Sequence, residues 1–115
     1  MVIKINEHLF KIKLAISEKE KQIGMMKKRF DENYNGMLFL QGKGDHCFWM
    51  MNCIIPLDII FIKDNQITKI HHNCPPCTKE PCKNYCGNGE MVLELQGGTC
   101  KKLNIEEKNI LEFVF

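Results

Sequence analysis

The chain has no apolar run near the ~20 residues that a bilayer-spanning helix requires, so no membrane span is expected. Its opening, Met1-Val2-Ile3-Lys4-Ile5-Asn6-Glu7, lacks the apolar stretch and small-residue cleavage site of a secretory signal. The expected location is therefore the cytoplasm. An excess of one charge is missing as well: sixteen basic and fourteen acidic side chains leave a formal charge of +2. That is too little to build a field that recruits nucleic acid or anionic lipid. The pairs Lys27-Lys28 and Lys101-Lys102 read as solvated surface rather than as a phosphate track. Internal repeats, linkers and low-complexity tracts are also lacking. Neither a nucleic-acid nor a membrane partner is expected.

What is present is an ordinary globular balance, 44% hydrophobic and 26% charged residues in a chain of 115. This length suits one core, and residues 1–115 are read as a single domain. Phe10, Ile12, Leu14 and Ile16 alternate with Lys11, Lys13 and Ala15, the period of a strand with one face buried. Ser17 and Glu20 then have the spacing of a capping box, which predicts a short helix from Glu18 to about Lys27. Ile23, Met26 and Phe30 would form its buried stripe. Gly24 within that pattern implies either a close approach to a sheet or an early end.

Further strands are expected at Met37–Leu40, His46–Met51, Leu57–Lys63, Gln66–His72, Met91–Leu95 and Ile110–Phe115. Asp64-Asn65 tolerates the positive φ angles of a tight hairpin and should join the two central runs. The polar segment Lys101 to Lys108 has room for a helical turn. Seven to eight short strands and one short helix, without regular alternation of the two, predict a mainly β (β-rich α+β) fold, a compact small barrel or sandwich.

Several blocks, in order, carry a resemblance: Gly24-Met25-Met26; Gly36-Met37-Leu38-Phe39; Phe48-Trp49-Met50 with Asn52; Pro56-Leu57-Asp58-Ile59 with Phe61; Pro76-Cys77, Pro81-Cys82 and Tyr85; and Val92-Leu93-Glu94 with Gly98. Over nearly its whole length the chain resembles the uncharacterised bacterial family called domain of unknown function 192. The resemblance implies a small β fold and brings no established reaction or ligand. Two positions depart from the family's pattern. Cys53 stands where the family usually has threonine, and Lys108-Asn109 replaces a glycine-aspartate turn before the last strand.

Within the apolar stretch from Phe48 to Ile62, two polar side chains stand out, Asn52 and Asp58. Burying an amide or a carboxylate costs a few kcal/mol unless it is hydrogen-bonded. Either both tie down the connection around Pro56 through backbone amides, or they are the polar points of an apolar cleft. In the second reading Trp49 forms a wall, with Met50 or Met51 beside it, and Trp49, Asn52 and Asp58 are the candidate ligand-binding residues. The occupant would be a small molecule or a peptide.

Cys74, Cys77, Cys82 and Cys86 crowd four thiols into thirteen residues. Their spacing is near that of a compact zinc knuckle, which makes a structural zinc the candidate cofactor. Nested disulfides, Cys77 with Cys82 inside Cys74 with Cys86, are the competing arrangement, although a reducing cytosol disfavours them. The family resemblance covers only Cys77 and Cys82, as a crosslink acting alone would require. In both versions the loop 74–86 is stapled, with His71 and His72 as substitute ligands in the metal version; free thiols are the third arrangement.

A thiol-dependent hydrolase or redox enzyme would instead use Cys53 or Cys47 as nucleophile, a histidine from His46, His71 or His72 as base, and Asp58 to orient it. Nothing in the spacing singles out such a triad, and adjacent His46 and Cys47 point to opposite faces of a strand. The leading expectation is a non-catalytic ligand- or partner-binding module, with no catalytic residue assigned.

Overall fold

The computed structural model describes residues 1–115. β1 (Val2–Ile5) turns through Asn6 and Glu7, both at positive φ, into β2 (His8–Ala15). α1 (Glu18–Ile23), β3 (Gly36–Leu40) and β4 (Asp45–Phe48) follow. Next comes the hairpin of β5 (Leu57–Lys63) and β6 (Gln66–Cys74), turned by Asp64 and Asn65 at φ 51° and 61°. β7 (Tyr85–Asn88), β8 (Met91–Gln96), α2 (Thr99–Leu103) and β9 (Leu111–Val114) complete the chain.

Seven strands form one sheet in the order β6-β5-β8-β3-β2-β1-β9, and β4 pairs with β7 as a separate ribbon. Only the β2–β3 neighbours are parallel. The sheet curls until its edge strands touch at one end. Leu111 N donates to Asn65 O at 2.7 Å and Ile67 N to Asn109 O at 2.9 Å. The mainly β barrel-like architecture expected from the sequence is the one observed, with nine strands rather than seven or eight.

The core lies on both faces of this half-barrel. All seven strands send apolar side chains to its interior, among them Ile3, Phe10, Leu38, Ile60, Ile67, Leu93 and Leu111, and Cys100 with Ile105 closes one end. On the outer face Ala15, Met37, Phe39, Ile59, Phe61 and Val92 are covered by Met25, Met50, Cys53, Ile55 and Tyr85. The double cover explains why β5 reads as a continuous apolar run instead of alternating. Each fully buried Ile, Leu, Val, Phe or Met side chain among them contributes about 1.5 to 3 kcal/mol.

Local chemistry sets the element ends. The capping box forms as expected: Glu20 N donates to Ser17 Oγ at 3.1 Å and Ser17 N to Glu20 Oε1 at 2.9 Å. α1 stops at Ile23 rather than near Lys27, because Gly24 takes φ +47° and leaves the helix. A Cβ at Gly24 would sit 3.1 Å from the Phe39 ring, so the close approach and the early end are one feature. With the helix cut short, Met25 is the buried residue beyond it, while Ile23, expected in the buried stripe, is exposed. β4 likewise ends at Phe48 rather than Met51, which frees Trp49 to Met51 from strand alternation. The ribbon packs on the outer face at Gly87, whose bare Cα lies under the Phe61 ring, where any Cβ would approach within 2.5 Å.

Candidate functional site

A cleft of about 380 Å³ opens on the outer face between α1 and the segment that leaves β4. Phe39 and Glu94 form its floor. Met25 and Met26 wall one side; Phe48, Trp49, Met51 and Cys53 wall the other. At the mouth stand Glu18 and Lys21, joined in an ion pair at 3.0 Å.

Glu94 has the most unusual environment. It lies on β8 between Met37 of β3 and Ile59 of β5, on the face that also carries buried Val92. The residue is 4% exposed, and its carboxyl group makes no hydrogen bond or ion pair within the chain. Burial alone pushes its pKa from 4.5 up to about 8. Desolvation disfavours the charged form, so the group is mostly a neutral acid at pH 7. An acid held this way beneath an apolar cleft can donate or accept one hydrogen bond, or release its proton to meet a positive charge.

The residues singled out from the sequence do not converge. Trp49, 41% exposed, borders the cleft, and so does Met51, while Met50 points into the core. Asn52 lies outside the lining. Its main chain makes the turn, at φ +62°, with Asn52 N donating to Cys77 O at 2.9 Å and Lys27 N donating to Asn52 O at 2.8 Å. Asp58 does not face the cleft at all. Its Oδ1 accepts from Asn73 N at 2.7 Å and Gly98 N at 3.1 Å, and its Oδ2 accepts from Cys100 N at 2.8 Å. Those amides belong to the end of β6 and the start of α2, so Asp58 closes the chain's connections.

The four thiols of the loop are not brought to one point. Cys77 bonds to Cys82, whereas Cys86 bonds to Cys47 and leaves Cys74 free and buried. The pairing of Cys74 with Cys86 therefore does not form. The reason is β7, which sets Cys86 directly opposite Cys47 of β4, with Cα atoms 4.0 Å apart. No group of three or more His, Cys, Asp or Glu side chains is positioned to hold a metal ion, so the zinc arrangement is not assembled. His71 packs edge-on between Phe61 and Tyr85, its Nε2 2.8 Å from Cys86 O, while His72 is exposed.

The stapled loop nevertheless serves the cleft. Met51 bridges to Cys77, and the sulfur of Cys82 rests 3.5 Å from that of Met51. Cys47 adds its disulfide to the lining. No thiolate nucleophile is available there: Cys47 is oxidised, and Cys53 has its pKa pushed up to about 12 by burial and by neighbouring Glu94. The lining contains no histidine.

The family model described as "Uncharacterized ACR", domain of unknown function 192, matches residues 1–113. The chain belongs to this family. Two solved structures resemble this family member closely. A protein of unknown function from Novosphingobium aromaticivorans is 30% identical with a TM-score of 0.84, and the match covers 97% of this chain and 84% of that one. A proposed transcription regulator from Sinorhizobium meliloti is 29% identical with a TM-score of 0.83, over 96% of this chain and 91% of that one. No curated protein matches. No helix of this domain is long and apolar enough to cross a membrane.

Sequence reasoning missed Glu94 as a site residue. The only local signal is a carboxylate inside Val92-Leu93-Glu94-Leu95, where strand alternation alone would assign it to a solvated face.

Proposed function

We propose that this domain of the family is a non-catalytic binding module whose cleft takes a small organic ligand, with Trp49 as a wall and Glu94 as the polar anchor. The observation that carries the reading is Glu94: an acid 4% exposed, without a partner in its own chain, bordering a cleft of about 380 Å³. A carboxyl group held almost wholly out of bulk water, with no hydrogen-bond partner in the chain and adjoining a concave apolar surface, is a feature that a ligand would complete. The volume is in the range of small-molecule sites. The disulfides at Cys47–Cys86 and Cys77–Cys82 support the wall opposite α1 and keep it in one geometry, which lowers the ordering cost of binding.

The S. meliloti relative's description concerns that protein. Here the helices are six and five residues long, shorter than a recognition helix that fills a major groove, and the net charge is only +2. These features favour a small-molecule partner over nucleic acid.

The test is amide-resolved NMR of the labelled protein against a set of small organic fragments. Shifts concentrated at Met25, Met26, the Trp49 indole and Met51 are the expected result, and Glu94→Gln should diminish them. Shifts scattered over the surface, or centred on Asp58 and Gly98, would overturn the reading.

A further inference from the structure

We infer that the occupant of the cleft is an organic cation, an ammonium or amidinium on an alkyl or aryl body, whose charged head meets the Glu94 carboxylate. This rests on the binding reading above and narrows it to one ligand chemistry.

The charge inventory around Glu94 leads there. From β4 comes Cys47, tied in a disulfide, and from the segment after it Cys53, a neutral thiol. From β6 comes Cys74, whose pKa burial pushes up to about 11, so it too is uncharged at neutral pH. The flanking residues on β3 and β5, Met37 and Ile59, cannot titrate. From α1 come Glu18 and Lys21, and these cancel each other at the mouth. Glu94 is thus the one ionisable group below the rim without a compensating partner.

An anionic ligand would find no free positive charge in this cleft and a carboxyl group at its floor. A neutral ligand would gain one hydrogen bond. A cation gains more, because opposite charges in a site of low effective dielectric attract strongly. The aromatic side chains of Phe39, Phe48 and Trp49 in the lining offset the cost of stripping water from the charged head. Thioethers of Met25 and Met51 suit the apolar body.

Binding of a cation also moves a proton. Glu94 is mostly protonated at neutral pH in the unliganded protein, so seating a cation expels that proton to solvent. The ligand binds the deprotonated form, and affinity should climb close to tenfold per pH unit until the acid's own pKa is passed.

The experiment uses three probes with the same ring: benzylamine, benzyl alcohol and benzoate. Binding to the intact protein is followed by fluorescence of Trp49, the only tryptophan, and by calorimetry in two buffers of different ionisation enthalpy. Benzylamine should bind at least tenfold more tightly than benzyl alcohol, benzoate should bind most weakly, and proton release should accompany the amine alone. Its affinity should rise between about pH 6 and about pH 8. Glu94→Gln, nearly isosteric with the protonated acid, should bring the amine down to the level of the alcohol and remove the pH dependence. If benzyl alcohol matches benzylamine in the wild type, the cation inference fails while the cleft reading stands. If none of the three perturbs Trp49 up to about 10 mM, the range in which fragments of this size bind, both fail.

Discussion

Asp58 and Glu94 are both acids buried in the sheet, on neighbouring strands and one step apart in register, since Asp58 opposes Leu95 and Ile59 opposes Glu94. They face opposite ways and live under opposite rules. Asp58, fully buried, is saturated by three main-chain amides at the end of the half-barrel that α2 closes. Glu94, almost as buried, has no hydrogen-bond partner in the chain and borders the cleft. Depth of burial therefore does not tell these two acids apart. The number of partners does, because a satisfied carboxylate holds the fold together, whereas an unsatisfied one weakens the fold unless something else compensates.

The largest effect should come from Asp58→Ala. Three amides would lose their acceptor together, and each stranded donor costs about 1 to 3 kcal/mol. A loss of about 4 kcal/mol or more is expected, a large share of the stability of a domain this size. Urea unfolding measures it. Asp58→Asn should cost roughly half as much, since one oxygen still serves Asn73 and Gly98 while the new NH₂ faces the Cys100 amide. A loss under about 1 kcal/mol for the alanine variant would erase the contrast with Glu94.

Glu94 should behave in the opposite manner, through pH. Its folded pKa, about 8, lies above the ordinary 4.5, so the native state holds a proton that the unfolded chain gives up. Stability from this group is fully present below about pH 4.5 and is lost as pH rises through about 8. Raising a pKa by one corresponds to about 1.4 kcal/mol, and water reaching the group from the cleft trims the total to about 3 kcal/mol. Glu94→Gln should flatten the dependence and exceed the wild type in stability at about pH 9. Unfolding midpoints of the two proteins across that range provide the check, and parallel curves would show that Glu94 is not the protonated group.

Loosening the wall over Glu94 probes the same contrast from outside. Replacing Cys47 and Cys86 together by serine removes a link between residues 39 apart in sequence and should cost about 2 kcal/mol. Water admitted to the cleft should lower the Glu94 pKa toward 4.5, followed by carbonyl-carbon NMR. Hydrogen exchange at the Gly98 and Cys100 amides, held by Asp58 on the other face, should stay unchanged. The intact mass of protein purified without reductant comes first: two disulfides and three free thiols, Cys53, Cys74 and Cys100, mean four hydrogens fewer than the reduced chain.

Much of this frame is legible in the sequence alone. The capping box at Ser17, the Asp64-Asn65 hairpin and the apolar run of β5 are local signals, each fixed by neighbours within a few residues. Trp49 stands out for the same reason. Glu94 and the Cys47–Cys86 link do not, because both depend on distant packing. Glu94 is buried only because the segment around Met50 and Cys53, some forty residues earlier, crosses over the outer face. The link requires β7, and Tyr85-Cys86-Gly87-Asn88 carries no alternating pattern that would mark it as a strand. Asp58 is visible as a polar residue in an apolar run, but whether main chain or ligand satisfies it turns on where α2 begins.

The smallest effect belongs to Asn52, the other polar residue in that run. Its side chain makes no hydrogen bond within the chain; its main chain, at φ +62°, links Lys27 on one side to Cys77 on the other. Asparagine tolerates this left-handed conformation better than any β-branched or bulky residue, and glycine adopts it freely. Asn52→Gly should therefore change stability by less than about 0.5 kcal/mol, while Asn52→Ala should cost about 1 kcal/mol. If the amide instead served a ligand, both substitutions would weaken binding equally while differing in stability. Titrating benzylamine against the two variants separates these outcomes: affinity that follows the wild type in Asn52→Gly assigns the residue to the turn, and leaves Glu94 as the polar contact that matters.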